Sequence, residues 1–180
     1  AMTFFFFFLQ WVPTSPHVPH PETPFFLAAL GCLGELHLVN EGVGYTQPFE
    51  LVGSNFIKAS NFTNHMNSLE LEGVVFRPVH YQPFYTDWKS GSLQGAQLHI
   101  TDYSTFKPMK VQLAIMLALK DLYPNDFYFA THRLAMFDKA MGTNRIRTLI
   151  TEGFNLDVIY SETQSFLGDY LETRRKYLLY

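Results

Sequence analysis

The residues best equipped for chemistry lie between Glu35 and Glu50, which read Glu-Leu-His-Leu-Val-Asn-Glu-Gly-Val-Gly-Tyr-Thr-Gln-Pro-Phe-Glu. Three carboxylates (Glu35, Glu41 and Glu50) share this short segment with His37, Asn40, Thr46 and Gln47. Such a set can hold a polar ligand through several hydrogen bonds, and two converging carboxyls can also pass a proton. Gly42 and Gly44 flank Val43, and glycine both reaches backbone angles closed to other residues and lets a ligand approach the main chain. Pro48 biases Gln47 toward an extended conformation. The segment therefore reads as a polar loop, and loops carried on a rigid scaffold are where binding groups concentrate. An ordinary surface connection would have the same composition.

A scaffold for that loop can be read from the flanking patterns. Ala29–Leu33 reads as an apolar strand feeding into it, and Phe49–Ile57 carries the chain away. Phe62, His65, Met66 and Leu69 recur at helical spacing, which predicts an amphipathic helix near Ser60–Leu71 with Ser60 as N-cap and Gly73 as the stop. His65 on that stripe reads as a hydrogen-bonded core residue rather than a ligand. Val74–Tyr81 reads as a strand that Pro78 confines to an edge or a bulge. After a loop over Tyr85–Gly95, the alternation in Ala96–Thr101 gives a second strand with Gln97, His99 and Thr101 on one face, closed by Asp102. His99 either faces a cleft or bonds Asp102 or a neighbouring strand. Lys107–Tyr123 is apolar almost all round, so it reads as a buried helix, with Pro108 in its first turn and Pro124 beyond its end. Shorter helices are predicted near 131–141, 143–152 and 156–176, the last with Ile159, Phe166, Leu167, Tyr170 and Leu171 inward and Gly168 as a weak point. The fold class is α+β: a small mixed or antiparallel sheet in the first half packed by C-terminal helices.

The chain has 180 residues, enough for one domain with a proper core. Its net charge of −3 and scattered Lys and Arg exclude the clustered basic footprint of a nucleic-acid binder. Cys32 is the single cysteine, so no disulfide forms within one chain, and it reads as a small buried hydrophobe. Residues 1–12 form a leading segment dominated by Phe4–Phe8, readable as a strand needing cover or as a remnant outside the native sequence. That run is far short of the roughly 20 apolar residues of a membrane helix, and it lacks the basic region and cleavage site of a signal peptide. Residues 13–24 carry five prolines and read as an extended, polyproline-like linker. Pro19 between His17 and His20 keeps them off a shared helix face, so no metal is expected there. Residues 25–180 then make the single α+β domain.

With these segments placed, the chain resembles the C-terminal half of the bacterial exo-β-N-acetylmuramidases, peptidoglycan-degrading glycoside hydrolases. The resemblance rests on Trp11-Val12-Pro13-Thr14-Ser15-Pro16, on Glu35 through Glu50, and on Val75-Phe76-Arg77-Pro78. It continues in Gly95-Ala96-Gln97-Leu98-His99-Ile100-Thr101-Asp102, in Leu122-Tyr123-Pro124 and in Arg175-Lys176-Tyr177-Leu178-Leu179-Tyr180. Glu35, Glu41, Gly42, Gly44, Thr46, Pro48, Phe49 and Glu50 match the family wording, whereas Val43 and Gln47 stand where it has arginines. Glutamine cannot supply the charge an arginine would offer an anionic group such as the lactyl carboxylate of a muramic acid.

The resemblance implies a Rossmann-like domain ahead of this one, an active-site cleft between the two, and catalytic acids in an acidic-His-Gly motif of that first domain, a motif that does not occur in this sequence. It also implies an extracytoplasmic location, secreted or periplasmic, and no cofactor. The expected ligand is a peptidoglycan-derived amino sugar, met by Glu35, Asn40, Glu41, Thr46, Gln47, His99 and Asp102. Expected partners are the Rossmann-like domain or a second copy through the Phe-rich segment. Glycoside hydrolysis needs two carboxyls about 5–5.5 Å apart for retention or about 6.5–9.5 Å for inversion. Six residues of extended chain would hold Glu35 and Glu41 roughly 20 Å apart, so that pairing requires a sharp bend at the glycines. Glu35 could instead meet Asp102 across the sheet, cap backbone amides or pair with Arg77. The two functional readings are a substrate-completing half of an amino-sugar hydrolase and a non-catalytic module for cell-wall sugar or a partner domain.

Overall fold

A computed structural model describes residues 10–85, 87–165 and 167–179. The Phe4–Phe8 run lies outside them. Three antiparallel strands, β1 (Leu51–Ser54), β2 (Val74–Tyr81) and β3 (Leu93–Ile100), form a sheet in the order β1-β3-β2. Helices α1 (Thr23–Leu30), α2 (Ala59–Ser68) and α3 (Pro108–Leu122) build the main core with it, followed by α4 (Leu134–Met141), α5 (Arg145–Glu152), α6 (Leu156–Gln164) and α7 (Leu167–Arg175). The α+β reading holds, and the sheet is antiparallel throughout. Two of the packing helices, α1 and α2, come from the first half of the chain.

The expected strand at Ala29–Leu33 is helical. α1 runs into a 3-10 segment over Gly31–Leu36. Phe26, Ala29, Leu30 and Leu33 are all buried, and their spacing is i, i+3, i+4, i+7, a helix face rather than the alternation of a half-buried strand. Pro24 in the first turn pre-sets the helical φ. The proline-rich stretch ahead is likewise not extended. It folds into turns held by Val18 N to Ser15 O (3.0 Å) and Thr23 N to His20 O (3.1 Å), with Trp11 Nε1 donating to Val18 O at 3.4 Å.

α2 starts after Lys58, so Ser60 is inside the helix rather than its cap. β2 is an edge strand, as Pro78 requires. Phe76 turns its backbone N–H and C=O away from β3, and both bond the side chain of Asn67 at 2.9 Å. Pro78 points its missing donor to that same outer side, two residues on. α3 matches its expected span and buries eight of its residues. The helix expected over 156–176 is divided at Ser165 into α6 and α7. Ile159 is buried, whereas Leu167, Tyr170 and Leu171 are exposed and Phe166 lies outside the described residues. No helix among the described residues is long and apolar enough to cross a membrane.

The sheet's second face carries a small satellite core of Leu51, Tyr81 and Leu93, with Tyr45, Val79 and Trp88 against it. Glycine is required at the sheet's centre: a Cβ on Gly95 would lie 1.8 Å from Val52 O, and one on Gly53 would lie 2.7 Å from the Tyr81 ring. The Tyr81 ring therefore lies across β1, and this brings its hydroxyl to the central loop.

Candidate functional site

Glu35 and Glu41 are brought together, but not by the glycines. The bend is made earlier, where the 3-10 segment ends at His37 in the left-handed conformation (φ 57) and the chain doubles back. The Glu41 carboxyl then lies against Gly34, where an added Cβ would come within 3.1 Å of both carboxylate oxygens. Glu35 pairs neither with Arg77 nor with Asp102. Arg133 Nη2 donates to Glu35 Oε2 at 2.5 Å, with both side chains largely sheltered. Arg133 ends a 3-10 turn over Thr131–Arg133 that leads into α4, and its neighbour His132 sets its ring edge-on to His37 at 6.2 Å between centroids.

The two carboxyls sit in different environments. Glu35 is held by a guanidinium. Burial pushes the Glu41 carboxyl above the usual carboxylate range, its own backbone amide opposes this, and the charge of Glu35 raises it further.

The loop between these groups and β1 is locked by Asn40, which is 1% exposed. Its backbone makes an isolated antiparallel bridge to Gly53, with N to O distances of 2.8 and 3.0 Å. Its side chain accepts from Gly42 N at 3.0 Å and donates to Val43 O at 2.9 Å. The Tyr81 hydroxyl, buried against the sheet, shares its proton between Asn40 O (3.0 Å) and Oδ1 (2.9 Å). Burial, with the charge of Glu41 second, pushes that phenol far above the ordinary tyrosine range, so it stays a neutral donor. Gly42 (φ 81) is needed twice over, since a Cβ there would also lie 2.4 Å from Gln47 O. Phe49 N to Glu41 O (2.7 Å) closes the loop, and Phe84 N to Gly44 O (2.7 Å) ties it to the segment after β2.

Thr46 is exposed and Gln47 half-buried on the same loop. His99 and Asp102 lie elsewhere. His99 is exposed opposite Val75, four residues along β3 from the Gly95–Gly53 pairing beside Asn40, about 13 Å away along the strand. Asp102 is exposed beyond the strand end and accepts from Ser104 N (2.8 Å) and Oγ (2.7 Å), which holds its carboxyl below the usual range. Arg77 bonds Gln97, which in turn donates to Glu50 Oε2 at 3.3 Å. Sequence reasoning missed Arg133, His132 and Tyr81. Only Tyr81 left a signal, since its odd number puts it with Val75, Arg77 and Val79 on the face of β2 opposite Phe76.

Comparison with known proteins gives this arrangement a family. The sequence profile described as exo-beta-N-acetylmuramidase NamZ, C-terminal, matches residues 28–180. The peptidoglycan beta-N-acetylmuramidase NamZ of Bacillus subtilis is 36% identical over 172 residues, which cover 96% of this chain and 41% of that protein. The crystal structure of a DUF1343 family protein from Bacteroides fragilis superposes with a TM-score of 0.90 at 35% identity, over 96% of this chain and 46% of that one. The chain thus spans less than half the length of either relative. It belongs to the family of NamZ exo-β-N-acetylmuramidase C-terminal domains.

Proposed function

We propose that this chain forms one wall of the substrate cleft of a peptidoglycan amino-sugar hydrolase and is not a complete catalyst by itself. The observation that carries the reading is the half-buried Glu41 carboxyl beside the Arg133-paired Glu35, on a loop that Asn40 and Tyr81 fix to the sheet. Preorganised polar groups on a rigid support are what a sugar site needs. Glu35, Glu41, Thr46 and Gln47 are the groups offered to the sugar. Asn40 acts through the loop it holds, and His99 and Asp102, at the far end of β3, take no part. The Bacillus subtilis relative is a peptidoglycan beta-N-acetylmuramidase, which supports the ligand class.

The test is an NMR titration of the 180-residue chain with N-acetylmuramic acid, beside hydrolysis of its para-nitrophenyl β-glycoside. Weak binding that shifts amides between Glu35 and Gln47, without turnover, is the expected result. A spectrum unmoved by the sugar would overturn the cleft assignment. Turnover abolished by Glu41→Gln would instead make the chain an enzyme in its own right.

A second reading, a non-catalytic module that docks a partner domain, is favoured by the exposed apolar residues of α7 and the segment after it, Leu179 among them at 94% exposure. It predicts that Tyr170→Ser and Leu179→Ser weaken association with the part of the Bacillus relative that this chain does not match, and leave sugar binding unchanged.

A further inference from the structure

We propose that Phe84, laid beside Tyr45, is a stacking platform for a second sugar ring, so that the loop recognises a disaccharide rather than a single amino sugar. This rests on the cleft reading above. Phe84 is 78% exposed, although an aromatic ring has more apolar area to gain by burial than most side chains. Single exposed hydrophobic residues need no explanation. This one differs because it is held in place. Its backbone N–H donates to Gly44 O at 2.7 Å, between the two ends of the candidate loop. Its ring lies nearly parallel to that of Tyr45, at 18° with centroids 6.5 Å apart. Tyr45 in turn packs on Tyr81 at 5.4 Å, and Tyr81 bonds Asn40, the residue before Glu41.

One connected set of contacts therefore runs from Asn40, the residue beside Glu41, to an open aromatic face. The next residue, Tyr85, is anchored by His17, whose ring nitrogen bonds its hydroxyl. A pyranose presents axial C–H groups on one face and hydroxyls round its rim. The first suit a fixed aromatic ring, and the second suit water or nearby polar side chains. A sugar lying on Phe84 would be the unit joined to the one whose polar groups meet Glu35 and Glu41.

The experiment compares N-acetylmuramic acid with its β-linked disaccharide with N-acetylglucosamine, the repeating unit of peptidoglycan strands. Both are titrated by NMR into the unaltered chain, Phe84→Ala and Phe84→Trp. The disaccharide is expected to bind the unaltered chain about tenfold more tightly than the monosaccharide, and to shift the Tyr45 and Phe84 amides, which the monosaccharide leaves alone. Phe84→Ala should erase that advantage and leave monosaccharide binding unchanged, while Phe84→Trp should keep it. A disaccharide that binds no better than the monosaccharide, or an advantage that survives Phe84→Ala, overturns the platform and leaves the cleft reading standing. A ring that serves only to be covered by another part of a longer polypeptide would give that same overturning result. Binding of neither sugar overturns both.

Discussion

Asn40 uses its amide, its carbonyl and its backbone N–H within its own surroundings, which makes it a fastening rather than a ligand contact. Removing the side chain strands Gly42 N and Val43 O, and leaves the buried Tyr81 hydroxyl with only the Asn40 backbone carbonyl. Asn40→Ala should therefore cost about 2–4 kcal/mol in urea unfolding, and weaken sugar binding without removing any group that would touch the sugar. Glu41 gives a prediction of opposite sign. Its folded carboxyl titrates above its unfolded value of about 4.3, so the folded state binds the proton more readily. Stability tied to this group is fully present below that value and is lost as pH rises through the folded one. Glu41→Gln should thus raise Tm at pH 7, and the difference should vanish in acid. A Tm rise that persists unchanged at pH 3 would show that ionisation is not the cause. Where such a group costs stability, function is the common reason for keeping it.

At the scale of elements, the sheet tolerates almost nothing at its centre. Gly95→Ala would drive a methyl group into Val52 O, and should destabilise by more than about 4 kcal/mol. A melting curve within a degree of the parent would mean that the strands part more easily than their register implies. Where one pattern dominated, the elements were legible from the sequence: β2, β3 and α3 follow alternation or an all-round apolar helix. α1 was misread because its apolar residues are nearly continuous, and a short continuous run does not distinguish a strand from a helix. α7 was misread because a hydrophobic stripe signals burial only if something lies against it. The loop could be located from its composition, but its geometry could not. The bend at His37 depends on a left-handed residue that is neither Gly nor Asn, and the partner of Glu35 lies 98 residues away in sequence.

The same distance matters for the molecule as a whole. Glu35–Arg133 joins the front of the chain to the helices that follow the sheet, and Asp138 and Arg147 join α4 to α5 through paired contacts of 2.9 and 2.8 Å. Arg133→Ala leaves a largely sheltered Glu35 without its counter-charge and should cost about 2–3 kcal/mol. Hydrogen exchange should then speed up in residues 31–42 and 131–141 together. Faster exchange on one side alone would argue that the ion pair does not couple the two regions.

Asn67 on the outer edge of β2 has a wider consequence. An edge strand with open backbone groups invites the edge of another copy, the first step toward ordered aggregates. Here the amide of Asn67 occupies the Phe76 position as a substitute neighbour, and Pro78 offers no donor two residues further on. An incoming strand would meet one outward position already occupied and, at the next, one that can accept but cannot donate. This protects against self-templating at the middle of the β2 edge.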